Sequence, residues 1–111
     1  MNGVIGASGA SANPVRGEAA ITVAGLTLTL RPTFAALVAA EAELGPLFAL
    51  VERAAGGGLA LAELAGLFWH TLHDRPAALT REAFSESLLA AGLAAATPAL
   101  RVLLGQILGG R

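Results

Sequence analysis

Cysteine is absent from this 111-residue chain, which excludes disulfides, thiolate metal sites and a cysteine nucleophile together. The absence suits a reducing compartment, and the expectation is a cytoplasmic protein. Lysine is absent too: all seven basic residues are arginines, scattered against eight acidic residues for a net charge of −1. No basic patch or run results, so the electrostatic footprint of a nucleic-acid binder is missing. Attraction to an anionic membrane surface fails for the same reason. Charge of either sign is scarce, at 14% of residues against about 25% in ordinary soluble domains. Long apolar runs are lacking as well. Beyond the N-terminal leader, the longest uncharged stretch runs from Ser87 to Leu100 and contains Pro98. A spanning helix needs about 20 apolar residues, so no membrane span is expected. The first residues have neither the basic nor the apolar region of a secretory signal.

Apolar residues fill the space that charge leaves. They make up 55% of the chain, and the mean hydropathy is +0.68. One domain of this length buries roughly two-thirds of its unfolded surface. Much of the apolar content is alanine, which buries little area. So few charges still leave more apolar helix surface than one small core covers, and exposed apolar patches on soluble proteins usually mark interaction sites.

Residues 1–17 (MNGVIGASGASANPVRG) are small and aperiodic and read as a flexible leader. Their glycines lack the strand, helix and GK[ST] of a phosphate loop. Residues 18–111 read as a single domain. Ile21-Thr22-Val23 and Leu26 to Leu30 alternate and are β-branched or apolar, with Ala24-Gly25 between them. This is a hairpin signal. Leu26, Leu28 and Leu30 share one face, which must pack on helices because an isolated hairpin is marginal.

Pro32 is expected to open a first helix striped by Phe34, Leu37, Val38 and Leu44, with Gly45 as its stop. Pro46 opens a second, with Leu47, Leu50, Val51 and Ala54 on one face, ended by Gly56 to Gly58. A third spans about Leu61 to Leu72 and carries Leu64, Ala65 and Phe68. Thr80 is a good N-cap for a fourth, with Phe84, Leu88 and Ala91 aligned before Gly92. Thr97-Pro98 reads as N-cap and first residue of the last helix. There Leu100, Leu103, Leu104, Ile107 and Leu108 fall at i, i+3, i+4, i+7 and i+8. The fold class is α+β, mainly α: an N-terminal β-hairpin packed on about five short α-helices.

Candidate chemistry is thin. His70, His73 and Asp74 fall at i, i+3 and i+4, a set that could hold zinc or iron on one helix face. The spacing is not HExxH, and a histidine near a helix C-terminus is favoured by the macrodipole alone. Glu41 occupies the i+7 place of the Phe34 stripe, either as a buried acid or as a structural or interface pair. No second carboxylate is placed to work with it except Glu43, which points elsewhere on the helix. Trp69 lies off the third helix's stripe, as a second buried face or as an aromatic anchor for a partner. Ser85 and Ser87 lack a GxSxG elbow. Neither a cofactor nor a metal is expected, and the chain reads as non-enzymatic.

The order of segments carries a resemblance. The hairpin leads into LRPTFAALVAAEAELG (Leu30 to Gly45), then LFALVERAAGGG (Leu47 to Gly58), LAELAGLFWHTLHD and LLAAGLAAATPALRVLLGQILGG. Together, over about Arg16 to Gly110, these resemble the small gene transfer agent family proteins encoded among tail genes of gene transfer agents and related prophages. The opening R-x-T-F-x-A-L (Arg31 to Leu37) and Glu41 carry most of the likeness. Where a Ser or Thr cap is usual before the third helix, Leu59-Ala60-Leu61 stands instead. The resemblance implies a tail tube-associated protein or tail assembly chaperone, with tail tube and tape-measure proteins as partners, and it implies no catalytic residues. Glu41, Trp69, Leu100, Leu103, Leu104 and Ile107 are the candidate partner-binding residues, and self-association is left open. The alternatives are a structural component retained in the particle and, more weakly, a small metal-dependent enzyme using His70, His73 and Asp74.

Overall fold

The computed structural model describes residues 18–23 and 25–109; the leader expected over 1–17 lies outside the described residues, as does Ala24 of the hairpin turn. Strands β1 (Ala19–Val23) and β2 (Leu26–Leu30) form the expected antiparallel hairpin, with Ile21 opposite Leu28 and Val23 opposite Leu26. Gly25, at φ +77°, supplies the left-handed residue that a two-residue turn requires. Ala19, Ile21 and Val23 are buried along with Leu28 and Leu30, while Leu26 at the turn is partly exposed.

Five helices follow: α1 (Phe34–Leu44), α2 (Leu47–Ala55), α3 (Leu61–Thr71), α4 (Arg81–Ala91) and α5 (Leu93–Gly109). The chain turns by 80° between α1 and α2 and by 112° between α4 and α5. Gly45 and Gly92 make these corners at φ +94° and +93°, a region other residues enter at a cost. No helix among the described residues is long and apolar enough to cross a membrane. The helices and the sheet's inner face share one core, centred on Leu30, Leu50, Leu67, Phe68, Phe84, Leu88 and Leu103.

Several boundaries differ from the sequence reading. Thr33, not Pro32, begins α1; its hydroxyl accepts from the Ala36 amide at 3.1 Å. The expected α1 stripe is not the buried one. Phe34 is 84% exposed and Val38 is exposed, whereas Ala40 is the buried residue of α1. The reason is close approach: α1 lies against α3, where a Cβ on Gly66 would stand 3.2 Å from Leu44 Cδ2. Leu44 thus seats on Gly66, and with buried Ala40 it turns a different face of α1 inward from the one carrying Phe34 and Val38.

α3 ends at Thr71, and Leu72–His73 becomes a third strand, β3, pairing with Leu30 and Thr29. The Thr71 hydroxyl turns back to the Leu67 and Phe68 carbonyls, and the Arg31 amide donates to the Thr71 carbonyl. The α3 N-terminus lacks a hydroxyl cap, but Glu63 reaches back to accept from the Ala60 amide at 3.0 Å. The Thr97-Pro98 start of the last helix is corrected: α5 begins at Leu93 and carries Pro98 inside it. Pro98 cannot donate to the Ala94 carbonyl. Burial of Ala96, Ala99 and Leu103, an i, i+3, i+7 stripe that spans the proline, keeps the helix continuous.

Candidate interaction surface

Among the residues picked from the sequence, Glu41 is exposed, and its Oε2 accepts from the Leu47 amide at 3.0 Å. It thus satisfies a free donor at the N-terminus of α2, where Pro46 offers no side-chain cap. Trp69 is half-buried. One side meets Phe84, ring centroids 6.0 Å apart, and the Arg75 guanidinium lies 4.2 Å from its ring centroid. Leu103 is 0% exposed in the core, so it offers a partner nothing in this fold. Leu100, Leu104 and Ile107 flank it, partly buried against the core.

His70, His73 and Asp74 do not gather. β3 interrupts the helix before His73, so the i, i+3, i+4 face no longer exists. His70 Nε2 lies 2.7 Å from Glu43 Oε1, and His73 pairs with Asp74 at 3.3 Å. Asp74 has left the helix altogether, at φ +53°. No group of three or more possible metal ligands occurs among the described residues.

Glu43, set aside in the sequence reading, is the polar hub. Its carboxylate accepts two bonds from Arg81 of α4, at 2.7 and 2.5 Å, and lies against His70 of α3. The Arg81 bonds first, then the His70 contact, hold its pKa down at about 2. The same pairing raises the Arg81 guanidinium's pKa. One carboxylate therefore ties α1, α3 and α4 together. Glu63 is likewise held below the ordinary carboxylate range, by the Ala60 amide first and then by its ion pair with Arg53.

The apolar surface lies elsewhere. Leu37 of α1, Leu47, Phe48 and Val51 of α2, and Ile107 and Leu108 of α5 line a cleft of about 250 Å³. Phe48 is 80% exposed. Phe34, exposed to a similar degree, lies one turn before Leu37 on α1, on the same side of that helix. A signal for Phe48 was available, since it falls off the α2 stripe of Leu47, Leu50 and Val51 and a helix keeps one face to the core. Phe34 gave no such signal, because its period matches a core position.

Searches of curated proteins and of solved structures found no match. A family model, described as phage tail tube protein, GTA-gp10, matches residues 16–110. That span takes in the hairpin, all five helices, the Glu43 hub and the apolar cleft, and on it the chain belongs to the phage tail tube protein, GTA-gp10, family.

Proposed function

We propose that this protein is a tail assembly chaperone, non-enzymatic and acting in the cytoplasm, which holds apolar segments of tail tube or tape-measure proteins before they polymerise. The observation that carries this reading is the pair of phenylalanines, Phe34 and Phe48, left in solvent beside the α1/α2/α5 cleft. Covering one phenylalanine is worth about 1.5–3 kcal/mol. A partner that covers both gains specific affinity without any charged contact. Amphipathic helices docking in such a groove bind reversibly, as a chaperone must. Ile107 and Leu108 in the cleft wall extend the candidate surface, with Leu100 and Leu104 on the same helix.

Pull-down of tail tube and tape-measure proteins tests this directly. Phe34→Asp and Phe48→Asp, both at exposed positions, should fold normally and lose binding at least tenfold. Normal capture by the folded double variant would exclude the cleft as the interface.

A second reading is a structural component retained in the particle, and the family's description as a tail tube protein favours it. Mass spectrometry of purified particles separates the two. A chaperone is absent or strongly substoichiometric, whereas a tube component is present in many copies.

A further inference from the structure

Among the described residues the sheet ends on β1, a five-residue strand with no charge, no proline and no bulge. Edge strands in soluble proteins normally carry one of those blunting devices. In this hairpin Val23 and Leu26 close the two-residue turn as a hydrogen-bonded pair, and pairing alternates outward from there. Ala19, Ile21 and Val23 therefore bond to β2, while the N–H and C=O groups of Ala20 and Thr22 point away from it. Among the described residues, no backbone group pairs with them. Both residues are exposed.

We infer that this edge is a self-association site, with β1 of one copy pairing antiparallel with β1 of a second about a two-fold axis at Ile21. The strand's own pattern matches a second copy of itself. Burial runs buried, exposed, buried, exposed, buried along Ala19–Val23, a palindrome about Ile21. Antiparallel pairing centred there sets Ala20 of each copy opposite Thr22 of the other. These are the residues whose bonding groups point outward, so the four groups on each strand are all matched. The same register lays core face beside core face, and a one-residue slip would destroy this. No like charges meet, because the strand has none, and flanking Glu18 is held by Arg31 of its own chain. The contact is isologous, and it closes at two copies. A five-residue ribbon is smaller than a standard interface. However, α5, which packs on β1, carries exposed Leu93 and Val102.

Sedimentation velocity of the full chain over about 1–500 μM tests the pairing, with two double variants at the exposed positions. Wild type should shift from monomer to dimer across this range. Ala20→Glu/Thr22→Glu and Ala20→Lys/Thr22→Lys each place like charges opposite one another and should stay monomeric, while circular dichroism shows both folded. Mixed one to one, they should form a heterodimer, since each Glu then faces a Lys. A wild type that is monomeric throughout, charged variants that still dimerise, or a mixture that stays monomeric would each overturn the proposal. So would a monomeric chain whose capture of a tail tube protein is abolished by either double variant, because the edge would then belong to that protein.

Discussion

Glu43→Gln probes the charge at the centre of the α1/α3/α4 clasp. Glutamine keeps the size, and its one oxygen can accept from Arg81 Nη1 and His70 as Oε1 does, but its amide nitrogen stands where Oε2 accepts from Arg81 Nη2, so the charge and one hydrogen bond are lost together. A carboxyl depressed from 4.5 to about 2 has a linkage ceiling of ~3.4 kcal/mol, at about 1.4 kcal/mol per pH unit. That ceiling is not reached, because the Glu43 side chain is 40% exposed and solvent screens the pair. Exposed pairs are worth ~0–1 kcal/mol, more when bidentate, so a loss of about 1 kcal/mol is expected. The sign follows from the direction of the shift. A carboxyl depressed in the folded state stabilises fully above its unfolded pKa, and that stabilisation disappears as pH falls through the folded value. Urea unfolding should thus show wild type ahead of the variant by about 1 kcal/mol at pH 6. The gap should narrow below pH 4.5 and nearly close by about pH 2. A gap that stays constant with pH would refute the electrostatic account, and no gap at pH 6 would make the clasp an idle surface contact.

Gly66→Ala sets a helix-propensity gain of about 1 kcal/mol against contacts of 3.0 Å to Arg81 Nη2 and 3.2 Å to Leu44 Cδ2. Overpacking of that kind costs ~1–3 kcal/mol, so thermal unfolding should move down by a few degrees; an increase would mean Leu44 and Arg81 yield freely. Phe84→Ala, at a fully buried site, should cost ~3–5 kcal/mol and largely abolish cooperative melting. Phe34→Ala and Phe48→Ala should each stay within about 0.5 kcal/mol, and equal effects at all three sites would contradict this core. Pro98→Ala restores an amide that can reach the Ala94 carbonyl and should stabilise α5 by ~1 kcal/mol or more. Destabilisation, read by chemical denaturation, would show that the helix needs its proline.

The chain's local chemistry fixed its outline. Alternating residues around Gly25 specified the hairpin, Thr80 and the glycines at 45 and 92 set helix ends, and the stripe through Leu100, Leu103 and Leu104 marked α5. These features act within a few residues, so periodicity and capping suffice to read them. Scarce charge also pointed correctly to surplus apolar surface. Which residues form that surface was not legible. Phe34 and Val38 have core periodicity, yet they are left exposed because α1 turns Ala40 and Leu44 inward. Leu103 has interface chemistry, yet it lies wholly in the core. Pro98 carries a start signal that the Ala96/Ala99/Leu103 burial overrides.

The rest is long-range. Glu43 meets Arg81 across 38 residues and His70 across 27, and nothing in its own helix announces either partner. β3 is too short to carry a pattern, because Leu72–His73 is a strand only while Leu30 and Thr29 lie beside it. Local sequence was enough for the hairpin, the number of helices and the excess of apolar side chains. Which apolar side chains fill the core and which remain in solvent came from the packing of the elements. Burial and pairing are properties of neighbours brought together by the fold.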